Sequence, residues 1–254
     1  MELGLLYPTR DRGEDDFAEL CRRLDPAIGV GFAYPEWGPA AGRSDAAGQI
    51  AAVREIGAPE RLTRAADAFA TTPDVVSWAC SSCSFTRGLD GARAQAGALA
   101  AHLGVPASST SLAYLAALER LGAGRVALAS VYHPELTARF AAFLTETGVE
   151  TVHAVSAGAG SDRDLATWSP ARITGLAEAG AHDDAEAVLL PETALHTTPL
   201  LGELEARLGK PVLTATAVTV WDALDRLGAE PVQDGLGTLF SGAADRRRPS
   251  SSSS

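Results

Sequence analysis

The sequence predicts an α/β fold built on parallel sheets, and three observations carry the prediction. Short apolar runs alternate with longer amphipathic segments along most of the chain. The apolar runs are almost continuous rather than alternating, as strands covered on both faces require. The stretch "LGVPASSTSLAYLAALERLG" at 103–122 also returns as "LGKPVLTATAVTVWDALDRLG" at 208–228, so the chain contains two related halves.

The predicted strands are Leu3–Tyr7, Ala27–Ala33, Asp74–Ala79, Arg125–Ser130, Thr151–Ser156, Ala187–Leu190 and Pro211–Ala215. The helical patterns between them are Asp15–Leu24, Pro59–Phe69, Leu89–Leu103, Ser109–Leu121, Glu135–Thr147, Pro170–Ala179, Thr198–Leu208 and Ala217–Leu227. Upstream of each repeat copy lies a strand, "VSWACSS" at 76–82 and "VLLPETA" at 188–194. Anchoring those strand ends sets Cys80 opposite Glu192. If the halves face one another about a pseudo-twofold axis, the two ends meet in one cleft, where ligands of parallel sheets bind. The expected division is residues 1–110 plus 216–245 for the first domain and 111–215 for the second. Arg246, the two arginines after it, Pro249 and the closing serines read as a disordered tail, 246–254.

The 254 residues, 46% hydrophobic and 21% charged, suit a soluble globular protein with a sizeable core. A net charge of -11 argues against a nucleic-acid surface. No apolar run reaches the roughly 18 residues of a membrane helix. The N-terminus shows no basic signal region, and Cys21, Cys80 and Cys83 are too few for a disulfide scaffold. A cytoplasmic protein is expected, of a size and acidity compatible with a homo-oligomer.

Cys80 and Cys83 stand in "WACSSCSF" at 78–85, which admits a metal knuckle, a redox pair or one nucleophile beside a bystander. Zinc needs about four ligands at workable spacing, and His102, His133, His153, His182 and His196 form no such pattern. A thioredoxin-like site places its motif after the first strand, whereas here it follows the third. Cys83 reads as a small buried hydrophobe. Cys80 is followed by Ser81, Ser82 and Ser84 at a strand-to-helix turn, whose N–H groups and dipole suit a carboxylate or an enolate oxygen. Cys80 is therefore the expected catalytic thiol. Trp78 and Trp221 read as core beside the two strand ends, and His196 as a surface residue.

These residues resemble the aspartate/glutamate racemase superfamily, in its branch of maleate cis-trans isomerases and arylmalonate decarboxylases. "SWACSSCSFTRG" at 77–88 resembles that branch's first-cysteine segment and "LLPETALHT" at 189–197 its second. "LGAGRVALASVY" at 121–132 resembles the segment ending in a substrate-binding tyrosine, here Tyr132. The resemblance implies two pseudo-symmetric Rossmann-like domains with a site between them that uses no cofactor and no metal. It implies adduct or enolate chemistry beside a carboxylate held by hydroxyl and backbone donors.

The chain departs from the pattern at the second cysteine, where Glu192 stands, and in the first loop, Pro8-Thr9-Arg10-Asp11. A thiolate beside a carboxylate repels it, so one of the two holds a proton near neutrality, and Glu192 then serves as acid or base to Cys80 or to a carbon acid. Thr9, Arg10, Ser81, Ser82, Tyr132 and Thr193 are the expected substrate contacts. The expected activity is isomerisation of a small carboxylic acid. Decarboxylation of a substituted malonate and racemisation are the alternatives, and a carboxylate-binding pseudoenzyme is the non-catalytic one.

Overall fold

A computed structural model describes residues 1–42, 46–159, 161–229 and 232–241, so the expected tail at 246–254 lies outside the described residues. In the first lobe, β1 (Glu2–Leu6) leads through α1 (Glu14–Arg23) to β2 (Gly29–Ala33). Helices α2 (Ala46–Ile56) and α3 (Pro59–Ala66) lead on to β3 (Val75–Trp78), and α4 (Ser82–Phe85) and α5 (Gly88–Leu103) to β4 (Ala107–Ser109). After α6 (Thr110–Leu121) come β5 (Arg125–Ser130), α7 (Pro134–Thr145), β6 (Glu150–Ser156), α8 (Asp162–Leu165), α9 (Pro170–Gly180) and β7 (Ala187–Leu190). A 3-10 turn, Thr198–Leu200, then precedes α10 (Leu201–Leu208), β8 (Val212–Thr214) and α11 (Ala215–Arg226).

The two sheets have the same order, β2-β1-β3-β4 and β6-β5-β7-β8, and every strand pair is parallel. The repeat seen in the sequence is thus a repeat of topology. Its closing Leu-Gly falls at the ends of α6 and α11, where Gly122 (φ 64) and Gly228 (φ 68) take the left-handed conformation that glycine adopts without a Cβ penalty. Its Ser and Thr caps correspond too: the Ser109 hydroxyl accepts from Leu112 N–H at 3.4 Å, and that of Thr214 from Ala217 N–H at 3.4 Å.

Every strand expected from sequence is present within two residues at each end. The structure adds β4, α2, α4 and α8. Strand β4 is three residues of Ala and Ser whose order comes from pairing, Trp78 opposite Ser109, rather than from β propensity. Helix α2, "AAGQIAAVREI", carries few residues that separate an apolar from a polar face.

The largest core cluster takes side chains from both lobes, including Leu3 and Leu5 of β1, Leu128 of β5 and Leu189 of β7. Helix α11 packs on α1 and β3 of the first lobe and on α6, and a hydroxyl pair, Thr110 to Thr219 at 2.7 Å, joins α6 to α11. Asp16 of α1 is buried and accepts from Thr198 N–H at 2.9 Å and from the Thr197 hydroxyl at 3.3 Å. Among the described residues no helix is long and apolar enough to cross a membrane.

Candidate active site

In each sheet the chain order reverses between the lobe's first and third strands, β1 beside β3 and β5 beside β7. Loops leaving such neighbours part in opposite directions and open a crevice at the carboxyl ends. Four segments therefore face one another: Tyr7–Gly13 after β1, Cys80–Ser82 after β3, Tyr132 after β5 and Pro191–Thr193 after β7. Cys80 and Glu192 both line a cavity of about 40 Å3, together with Ser81, Ser82, Tyr132 and Asp162. Cys80 and the two acidic residues thus border one small space. Ser82, Tyr132, Asp162 and Glu192 also line a larger cavity of about 640 Å3, whose remaining wall includes Trp37, Val53, Leu136 and Leu165.

The structure pairs Cys80 with Cys83 as a disulfide, which corrects the reading of Cys83 as a bystander. Cys80 ends the extended segment and Cys83 lies in the first turn of α4, so their Cα atoms are 5.6 Å apart, well within disulfide range. Cys83 is fully buried, whereas Cys80 is 6% exposed and reaches the cavity. Ser82 Oγ lies 3.7 Å from the Cys80 sulfur, and Cys83 N–H points at it from 3.4 Å. Paired, Cys80 carries neither proton nor nucleophile; thiol chemistry belongs to the reduced chain. The third cysteine, Cys21, is buried and its thiol is pushed up to about 12, largely by burial, so it is inert.

Glu192 is 7% exposed, and its loop is gripped by three tyrosine hydroxyls. Tyr114 donates to the Leu190 carbonyl at 2.6 Å, Tyr132 to that of Pro191, and Tyr7 to that of Thr193 at 3.0 Å. Tyr7 comes from the first lobe and Tyr132 from the second, so the loop is fixed by both. The Glu192 carboxylate accepts from Ala194 N–H at 2.8 Å. Burial, and next the charge of Asp162, push the Glu192 carboxyl up to about 8, so it is protonated at neutral pH. Burial raises Asp162 as well, against the pull of a hydrogen bond from the Thr9 hydroxyl at 3.2 Å and of the Arg12 charge.

Of the other expected contacts, Thr9, Ser82 and Tyr132 line the larger cavity, and Ser81 and Thr193 the smaller. Ser81 Oγ is buried without a hydrogen-bond partner, whereas the Tyr132 hydroxyl is already committed to Pro191. Arg10 is turned away: its guanidinium lies 3.8 Å over the Tyr34 ring, and Arg12 takes the place at the cavity wall. His196 pairs with Asp15 at 2.6 Å on the partly exposed edge of the lobe contact. Asp162 and Arg12 were not legible as site residues. Asp162 follows Ser161, whose side chain accepts from Asp164 N–H as a helix cap, and a Ser-Asp pair opening a helix reads as capping. Among the described residues, no three His, Cys, Asp or Glu side chains are grouped to hold a metal ion.

The model of the arylmalonate decarboxylase family matches residues 49–240 of the chain, three quarters of its length. The chain belongs to this family. It is 34% identical over 170 residues to arylmalonate decarboxylase of Bordetella bronchiseptica, covering 65% of this chain and 70% of that protein. To maleate isomerase of Pseudomonas putida it is 28% identical over 139 residues, which span 54% of this chain and 56% of that one. A liganded arylmalonate decarboxylase variant superposes with a TM-score of 0.76 at 27% identity, covering 94% of this chain and 98% of the other. The family is thus one of enzymes that decarboxylate or isomerise, on a two-domain α/β fold.

Proposed function

We propose that the chain is a decarboxylase of malonates that carry an apolar substituent, acting in its reduced form without a cofactor. The observation that carries this reading is the 640 Å3 cavity, polar at Ser82, Tyr132 and Glu192 and apolar along Trp37, Val53 and Leu136. That volume falls within the roughly 300–1,000 Å3 of pockets for drug-sized ligands. A four-carbon diacid has no apolar part to cover such a wall. The sequence placed isomerisation first; the cavity wall and the family match favour the decarboxylase instead.

In the proposed reaction the bond between the α-carbon and one carboxylate breaks and carbon dioxide leaves. Its electron pair passes into an enediolate on the retained carboxyl. The Cys80 S–H gives its proton to the α-carbon, Glu192 returns a proton to the thiolate, and solvent reprotonates Glu192, so one proton from water is consumed per turnover. With its carboxyl raised to about 8, Glu192 still carries a proton near neutrality and so has one to return. The apolar wall excludes water from the carboxylate that departs, whose charge is lost on leaving.

Maleate isomerisation is the second reading, favoured by retention of a thiol at the first strand end. There the Cys80 sulfur would add to the double bond, the new single bond would turn, and the sulfur would leave. The separating experiment gives the reduced protein phenylmalonate and maleate in parallel. Carbon dioxide and phenylacetate are expected from the first, with a loss of about 100-fold or more in Cys80→Ser. Fumarate from maleate without carbon dioxide from any substituted malonate would overturn the decarboxylase in favour of the isomerase. Thermal stabilisation by both acids with no turnover of either would leave only a binding protein.

A further inference from the structure

Three consecutive carbonyls in the turn from Cys80 to Cys83 are each held by a side chain from outside it. Ser111 of α6 donates to the Ser81 carbonyl at 2.8 Å, Thr86 to that of Ser82 at 2.7 Å, and Gln95 of α5 to that of Cys83 at 3.0 Å. Gln95 also donates to the Gly57 carbonyl at 2.6 Å, which pins the junction of α2 and α3 over the same turn. A Cβ at Gly57 would come 2.8 Å from the Cys83 carbonyl oxygen, so that junction lies directly against Cys83. The surroundings therefore fix the backbone between the two cysteines, with Cα atoms 5.6 Å apart, a spacing that suits a disulfide. Making or breaking the bond asks only for side-chain rotation.

The two cysteines are not equivalent. Cys80 is 6% exposed and Cys83 1%, the latter packed among Ile56, Leu62 and Leu99. In the reduced chain the Cys83 N–H, 3.4 Å from the Cys80 sulfur, favours a thiolate there, and thiolates are the form that oxidants attack. Both cysteines border the 40 Å3 cavity, which shares Ser82, Tyr132, Asp162 and Glu192 with the 640 Å3 cavity, so the two adjoin. A water needs roughly 10–15 Å3 of such space, so the smaller cavity suits hydrogen peroxide, a molecule only slightly larger. A ligand seated against Ser82 and Glu192 covers that inner space from the larger cavity.

We infer that Cys80 is a site of reversible oxidation by hydrogen peroxide arriving through the substrate cavity, with Cys83 as the resolving thiol. The inference takes its substrate from the proposed function, but the order of oxidation stands apart from it. The Cys80 thiolate attacks one peroxide oxygen, the O–O bond breaks, and hydroxide leaves and takes up a proton as water. Cys80 then carries a sulfenic acid; the Cys83 thiol gives up its proton, the S–S bond forms, and a second water leaves. The peroxide gains two electrons, one from each sulfur. A small thiol reverses the step by attacking the Cys80 sulfur and releasing Cys83, and a second thiol then frees Cys80. Peroxide thus stops turnover at position 80, a bound substrate shields the working chain, and Cys83 halts the oxidation where a thiol can undo it.

The test gives reduced protein hydrogen peroxide and follows each cysteine by dimedone trapping and by mass after alkylation. Cys83→Ser should form a sulfenic acid at Cys80, whereas in Cys80→Ser the buried Cys83 should react roughly tenfold more slowly or less. In the parent, which needs no variant to fold, limiting iodoacetamide should label Cys80 before Cys83. Peroxide-treated parent should regain its activity with dithiothreitol. Cys83→Ser should not, because its unresolved sulfenic acid goes on to sulfinic acid. Phenylacetate, the expected product, at about ten times its Kd should slow oxidation of Cys80 about tenfold, in proportion to occupancy. Equal rates at the two cysteines, or labelling of Cys83 first, overturn the assigned order. Unslowed oxidation with phenylacetate bound overturns the cavity route. The expected oxidation pattern with no carbon dioxide from phenylmalonate supports the site and overturns the decarboxylase. Phenylacetate that fails to bind overturns the substrate class and the shielding together, while the labelling order still decides which cysteine is attacked.

Discussion

Replacing Glu192 by Gln should make the protein more stable in alkali than its parent. Glutamine keeps the shape and keeps an oxygen for the Ala194 N–H at 2.8 Å, but it cannot ionise. The Glu192 carboxyl has an ordinary value of 4.5 and stands at about 8 in the folded chain. Between those limits the folded protein holds a proton that the unfolded chain has released. The stability associated with that proton is complete below 4.5, declines as pH rises through the window, and is gone above about 8. The slope for one proton is ~1.4 kcal/mol per pH unit, so the whole window amounts to on the order of 5 kcal/mol. That is a large share of the 5–15 kcal/mol typical of a folded domain. Urea denaturation of parent and variant, with reductant, at half-unit steps from pH 5 to 9 reads the difference directly. The two curves should be close at pH 5 and diverge by several kcal/mol by pH 9. Relief of Asp162, whose carboxyl also stands raised, acts in the same direction. A difference that stays flat across the range would refute the claim that Glu192 is a buried acid.

The oxidised chain has no thiol at position 80, so carbon dioxide release should require dithiothreitol, and Cys83→Ser should be active without it. Masses after alkylation should show two more modified cysteines in the reduced chain, and equal rates with and without reductant would contradict the disulfide. Gly13→Ala places a methyl against the Tyr7 hydroxyl and the Thr193 carbonyl, so it should cost about 1–3 kcal/mol of stability and most of the activity. A melting temperature equal to the parent's would show that the two loops are not in contact. Tyr114→Phe removes one of the two donors to the buried Leu190 carbonyl, which keeps Glu192 N–H at 2.9 Å, and should cost about 0.5–1.5 kcal/mol in urea denaturation. If it lowers kcat/KM as well, the tyrosine grip holds Glu192 in place; unchanged stability and rate would contradict that grip.

Much of the architecture was legible because it is local. The apolar runs that became β1, β3, β5 and β7 need no partner to be recognised, and the duplicated "LG" ending marked two matching halves, whose glycine caps only the structure showed. Strand β4 was hidden because its Ala and Ser residues are ordered by the neighbour they pair with. Helix α2 was hidden because its apolar and small residues lie all round. Cys80 and Glu192 could be set opposite each other by the repeat, since duplicated strands end at equivalent points. The spacing of Cys80 and Cys83 admitted a pair, yet only the turn of α4 brought their Cα atoms to 5.6 Å.

The sequence by itself determined the fold class, the duplication and the two strand ends that supply a thiol and an acid, because periodicity and repetition are properties of neighbouring residues. Only the tertiary structure decided which arginine of the first loop meets the cavity, that Asp162 stands beside Glu192, and that Cys80 is tied to Cys83. Those outcomes depend on how loops from different strands approach in space. Burial and the charge brought near Glu192, rather than the type of side chain, set its proton affinity.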